Sequence, residues 1–363
     1  MIRLGLLILI TFFISVKADD LKIITPSGVT EGYIKNNVIN WNDIPYAKPP
    51  IGDLRWKAPR KIEQNSNKIL SKDNNFCIQR TSSLGGSSQF SDELISGSED
   101  CLYLDIYAPS KKSEQLLPVM FWIHGGGNTS GLKDLYDFTK LVKKHNVIVV
   151  TINYRLGPLG WFTHPAIQDL QDGIDKASNF GTLDIISALE WVNNNINLFG
   201  GDSKNITIFG ESAGGHNVLS LLVSKKAKGL FHKAISMSGY TESISLEDAY
   251  KQKYKSPTSN YSSWNVVNKI INLESDENKK DNYNNEELRK LLYSLSGKEF
   301  YKYYADRETY EELPLLTNDG LVIPLIGLKE ALSKKEHVNN VPTIAGSNRD
   351  EVKIWLAFSE YFV

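Results

Sequence analysis

The sequence predicts an α/β fold: a central, mostly parallel sheet covered by helices. Three observations predict it. Short apolar, β-branched runs recur along the chain after Cys101. Among them lies a helical face, with Ile185, Leu189, Val192, Ile196 and Phe199 at steps of four and three. Glycine-rich turns follow two of the apolar runs, at strand ends where ligands sit in open α/β sheets.

The elements follow in order. Met1-Ile2-Arg3 opens the chain, an apolar run extends from Leu4 to Val16, and Val16-Lys17-Ala18 offers small residues before a cut. This is the pattern of a secretory signal peptide over residues 1–18, too short for a typical membrane span. A secreted or periplasmic domain is expected over residues 19–363, and no later stretch is apolar for long enough to span a bilayer. With 41 Lys and Arg against 42 Asp and Glu, the chain offers no basic surface for nucleic acid. Its length suits one large α/β domain or two smaller ones, without internal repeats.

The only cysteines are Cys77 and Cys101, and an even pair in an exported protein favours one disulfide. The six histidines are scattered singly, and no Cys/His spacing suits a metal, so neither metal nor cofactor is expected. Leu102–Tyr107, Pro118–Ile123, Val147–Asn153, Ile206–Phe209, Ala234–Met237 and Val341–Ala345 read as strands. Gly200-Gly201-Asp202 stops the helix that ends near Phe199. Residues 256–285, crowded with Asn, Lys, Ser, Asp and Glu, read as a surface insertion or lid segment, most simply a solvated loop with short helices.

Two motifs carry chemistry. Gly210-Glu211-Ser212-Ala213-Gly214 stands between the run Ile206–Phe209 and an apolar helical pattern from Val218 to Val223. Gly-x-Ser-x-Gly alone is a weak signal, but a strand before it and a helix after it are the context of a nucleophile elbow. Small residues at 210 and 214 would let Ser212 take a strained conformation at a helix N-terminus, where negative charge is favoured. The second motif is His124-Gly125-Gly126-Gly127, which ends the strand Pro118–Ile123 and leaves backbone N–H groups free to face a cavity as oxyanion donors. His124 reads as structural, because the loop's backbone is what such chemistry uses. After Val341–Ala345 come two adjacent acids, Asp350 and Glu351; chemistry alone leaves either open as the partner of a base.

Strings along the chain add to these motifs: Pro49-Pro50-Ile51-Gly52 with Arg55-Trp56, Glu99-Asp100-Cys101-Leu102-Tyr103-Leu104, and Asn153-Tyr154-Arg155-Leu156-Gly157. Asn179-Phe180-Gly181 with Asp184, Phe199-Gly200-Gly201-Asp202 and Gly346-Ser347-Asn348-Arg349-Asp350-Glu351 complete the series. Together they resemble type-B carboxylesterases, the group that includes the cholinesterases, over nearly all of residues 19–363. The resemblance implies an α/β-hydrolase fold and carboxylic-ester hydrolysis through a serine acyl-enzyme. It implies Ser212 as nucleophile, the N–H groups of Gly126, Gly127 and Ala213 as oxyanion hole, and Glu351 as the acid. It also implies a Cys77–Cys101 loop and structural ion pairs Arg55–Glu99 and Arg155–Asp184.

In such enzymes the base histidine follows the acid, and no histidine follows Glu351 here. His145, His164, His216, His232 and His337 precede it, and His216 lies a helical turn beyond Ser212. The expectation is therefore a partial domain whose C-terminal part, with the base, is missing, and a chain that by itself turns over little ester. The alternative is a non-catalytic binding or adhesion module on the same fold; the intact serine, glycine loop and acid argue for the enzyme. Residues 78–100 contain no Trp to hold a quaternary ammonium, so a neutral ester is expected rather than a choline ester. Asn128, Asn205 and Asn260 begin glycosylation sequons that read as chance matches.

Overall fold

The computed structural model describes residues 21–71, 75–83, 85–111, 113–250, 263–274, 283–305, 316–351 and 353. The expected signal peptide, the Asn260 sequon and much of the polar stretch 256–285 lie outside the described residues.

Eight strands form the main sheet: β1 (Tyr33–Lys35), β2 (Val38–Pro45), β3 (Tyr103–Pro109), β4 (Leu117–Ile123), β5 (Ile148–Ile152), β6 (Gly201–Glu211), β7 (Lys233–Met237) and β8 (Thr343–Gly346). Their spatial order is β8-β7-β6-β4-β5-β3-β2-β1. Pairing is parallel from β8 to β5 and antiparallel from β5 to β1. The parallel half holds the apolar runs read from the sequence, and Val119, Phe121, Val150, Ile206 and Ile208 are fully buried in it. Both faces of such strands are covered, so their runs are continuous rather than alternating. The antiparallel strands β1 and β2 were not anticipated; the pairing of β2 with β3 crosses some 60 residues of sequence.

The chain leaves β4 for β5 on one side, then returns through helix α1 (Phe180–Asn195) to β6 on the other side of β4. It continues through α2 (Ala213–Val223) to β7. Strand order thus reverses between β4 and β6, and such a switch point opens a crevice at the strands' carboxyl ends. The loops after β4 and β6 are the glycine loop and the elbow.

A second apolar cluster packs Trp56, Phe162 and Phe300 with Val266, Val267, Ile270 and Ile271 of α3 (Trp264–Glu274). Within the stretch expected to be a solvated loop with short helices, α3 is such a short helix, but its apolar face is buried. Both ion pairs expected from the resemblance form. Arg55 binds Glu99 through Nε and Nη2, at 2.6 and 2.7 Å. Arg155 holds Asp184 through Nε and Nη2, each at 2.7 Å, with both side chains buried. Cys77 and Cys101 form a disulfide, which closes a loop worth roughly 3 kcal/mol by chain entropy.

Removing one member of a buried pair strands the other charge. Asp184→Ala is expected to lower unfolding free energy by about 3–5 kcal/mol, as measured by urea denaturation.

Candidate active site

The elbow is built from backbone contacts that leave no room for side chains. Ser212 has φ +57° and ψ −122°, a left-handed conformation rare for a residue with a Cβ. It stands between β6 and the N-terminus of α2, and its N–H donates to the Met237 carbonyl at 2.9 Å. A Cβ on Gly210 would lie 2.5 Å from the Gly214 carbonyl carbon and 2.8 Å from the Ile123 oxygen. A Cβ on Gly214 would lie 2.1 Å from that same oxygen. Glycine at both positions therefore lets β4 and α2 cross within van der Waals distance.

The glycine loop lies against Ser212. A Cβ on Gly125 would approach Ser212 Cβ to 3.3 Å and the Glu211 carbonyl oxygen to 2.7 Å. Gly126 and Gly127, at φ +101° and +63°, are exposed. The N–H groups of Gly126, Gly127 and Ala213 donate to no protein acceptor among the described residues. The turn closes on itself, with Thr129 and Ser130 N–H both donating to the Gly126 carbonyl at 3.0 Å. Asn128 fastens it to neighbours: its carbonyl accepts from Gly157 N–H at 2.7 Å, and its Oδ1 accepts from Asn217 Nδ2 of α2 at 2.8 Å. Asn128 is thus buried and engaged, consistent with its sequon being a chance match.

The two adjacent acids diverge. Asp350 pairs with Lys353 at 2.9 Å and Arg349 at 3.5 Å. Glu351 turns toward β7, where its Oε2 accepts from Ser238 Oγ at 3.1 Å and from Asn348 N–H at 2.6 Å. Ser238, at φ +50°, was not singled out from the sequence. Its N–H donates to the Gly346 carbonyl at 2.7 Å, so the β7–β8 pairing sets its place. Burial, and then the nearby charge of Glu351, push the Glu211 carboxyl above its ordinary pKa. Glu351, the elbow and the glycine loop thus converge on one end of the sheet.

The sequence model described as "Carboxylesterase family" matches residues 19–361. The chain belongs to the carboxylesterase family. It is 43% identical over 228 residues to para-nitrobenzyl esterase of Bacillus subtilis, covering 62% of this chain and 45% of that protein. It is 36% identical over 319 residues to carboxylesterase 1D of Rattus norvegicus, covering 85% of this chain and 53% of that protein. A solved thermophilic PNB esterase superposes with a TM-score of 0.75 at 32% identity, over 94% of this chain and 65% of that one. The chain spans about half the length of the curated relatives it matches.

No histidine ring is hydrogen-bonded to Ser212 or Glu351 among the described residues. His124 stacks on Tyr154 at 4.3 Å, its Nδ1 2.8 Å from the Gly125 carbonyl oxygen. His216 packs on Tyr240 at 4.1 Å. Nδ1 of His164 caps a short helix by accepting from Ala166 N–H, and Nδ1 of His232 accepts from Ile206 N–H. Burial lowers the His124 and His216 pKa values to about 4 and that of His164 to about 3. At neutral pH these three rings are uncharged.

Gly214→Ala would push a methyl into the Ile123 carbonyl, and is expected to abolish labelling of Ser212 by a fluorophosphonate. The buried histidines bind protons more tightly in the unfolded chain, where the pKa is about 6.5. Their stabilising contribution is therefore complete above about pH 6.5 and declines as pH falls toward 4, each by on the order of 1 kcal/mol per pH unit. Chemical denaturation at pH 7 and pH 5 measures this; equal stability at the two would contradict it.

Proposed function

We propose that the protein hydrolyses neutral carboxylic esters through a serine acyl-enzyme. Ser212 Oγ attacks the ester carbonyl carbon while a general base takes its proton. The tetrahedral oxyanion is held by the amides of Gly126, Gly127 and Ala213, aided by the positive end of α2. The carbon–oxygen bond to the alcohol breaks, the base returns its proton to the leaving alkoxide, and water then releases the acid by the same route in reverse. Glu351, held by Ser238 and Asn348, orients the base and stabilises its charged form.

The single observation that carries this reading is the positive-φ backbone of Ser212, pressed against a glycine loop whose two undonated amides join that of Ala213 beside it. Strain of this kind costs on the order of 1–3 kcal/mol and persists where the surroundings impose it. The names of the relatives, para-nitrobenzyl esterase and carboxylesterase 1D, support the ester class. None of the six histidines bridges Ser212 and Glu351, so the reading assigns the general base to none of them. We also read residues 1–18 as a secretion signal, which places the enzyme outside the cytoplasm.

The test uses short-chain para-nitrophenyl esters with the full-length protein. Ser212→Ala is expected to lower kcat at least 1,000-fold, on the order seen when a triad member is removed. Equal activity of variant and wild type would end the assignment. The 363-residue chain alone is expected to show little turnover.

A further inference from the structure

We propose that Gln79 is a positioning residue for the oxyanion turn, acting from inside the disulfide loop through the backbone of Gly131. The assignment rests on the serine-esterase reading above.

Gln79 is two residues beyond Cys77, in a short strand (Gln79–Arg80) that pairs with Ile95–Ser96 within the loop closed by Cys101. It is 0% exposed. Its Oε1 accepts from Gly131 N–H at 2.9 Å, and its Nε2 donates to the Gly131 carbonyl at 3.0 Å and to the Cys77 carbonyl at 3.1 Å. The side-chain amide thus holds both polar groups of one backbone residue, much as a neighbouring strand would.

Gly131 is the last residue of the glycine turn and supports it from below. At φ +119°, a Cβ there would lie 2.3 Å from His124 Nδ1 and 2.7 Å from the Gly125 carbonyl oxygen. Gly125 in turn rests on Ser212. A continuous line of contact therefore runs from Gln79 through Gly131 and Gly125 to the nucleophile. The disulfide loop touches the turn again where a Cβ on Gly85 would lie 2.8 Å from Ser130 Cβ.

Such a support is needed because the turn's own residues do not define its shape. Gly126, Gly127, Asn128 and Gly131 all have positive φ, and glycine visits many other conformations at little cost. Asn128 is held by Gly157 and by Asn217 of α2, and Gln79 holds the other end. Oxyanion donors act only within about 2.7–3.1 Å of the developing charge, and a misplacement of about 1 Å can cost roughly 100-fold.

The experiment uses the full-length protein carrying Gln79→Met, which keeps the volume and removes all three hydrogen bonds. Fluorophosphonate titration to completion counts the reactive serines, so turnover is expressed per competent site and a loss of folded protein does not register. The expected result is a kcat per titrated serine lowered about 10- to 100-fold with KM within threefold. Inhibition by an arylboronic acid, whose adduct is a tetrahedral anion, should weaken by a similar factor. Gln79→Glu, which retains the acceptor for Gly131 N–H, serves where the Met variant does not fold and is expected to change kcat in the same direction. Turnover per titrated serine within twofold of wild type in a folded variant would overturn the assignment. Wild-type protein that neither labels at Ser212 nor turns over esters would show instead that the esterase reading itself had failed, and the assignment with it.

Discussion

The site depends on one steric constraint: the carbonyl end of β4 sits directly against the elbow. The Ile123 oxygen occupies space that a Cβ on Gly210 or Gly214 would need. The same closeness brings Gly125, two residues beyond Ile123, onto Ser212. In the proposed mechanism, Ser212 and the amides of Gly126, Gly127 and Ala213 are thus placed by neighbouring strands rather than by flexible side chains. Backbone so placed needs no reorganisation as charge develops, which is the source of most electrostatic stabilisation in such reactions.

Around that contact, buried polar groups hold the loops that the sheet leaves unpaired. Lys133, just beyond the glycine turn, is 2% exposed and meets Asp43, Asp105 and Asp134 at 3.0, 3.0 and 2.8 Å. Burial disfavours its charge, but the three carboxylates outweigh that and hold the ammonium well above its ordinary pKa. Its backbone N–H donates to Asn153 Oδ1, and Asn153 Nδ2 donates to the Asn75 carbonyl at 2.6 Å. These bonds join the segment after the turn to the end of β5 and to the approach to Cys77. Buried charge of this kind contributes little net stability, but it penalises every arrangement that leaves a member unpaired.

Much of this was legible in the sequence where the signal was local. The runs at 118–123 and 206–209 became β4 and the core of β6, because continuous apolar residues suit strands covered on both faces. The elbow glycines, the glycine loop and the lone cysteine pair were visible for the same reason, since each motif lies within a few residues or has one possible partner. Less was legible where the partner is remote. Residues 263–274 looked solvated by composition, yet four apolar side chains at helical spacing find Trp56 and Phe300. Ser238 and Gln79 carry no local mark at all. Their roles exist only because β7 meets β8 and because the disulfide loop folds over the glycine turn.

The sequence by itself determined the family through its motif strings, and the sheet's parallel half and the residues of the elbow through apolar runs and glycine positions that tolerate no side chain. Only the tertiary structure decided where each of the two adjacent acids points. Asp350 and Glu351 have the same chemistry and nearly the same sequence position. One residue of displacement sends Asp350 toward Lys353 and Glu351 toward Ser238. The tertiary structure likewise decided what surrounds His124, His164 and His216: burial strips the water that would let them carry charge. Direction and desolvation are properties of the surroundings, and a linear string of residues does not contain its surroundings.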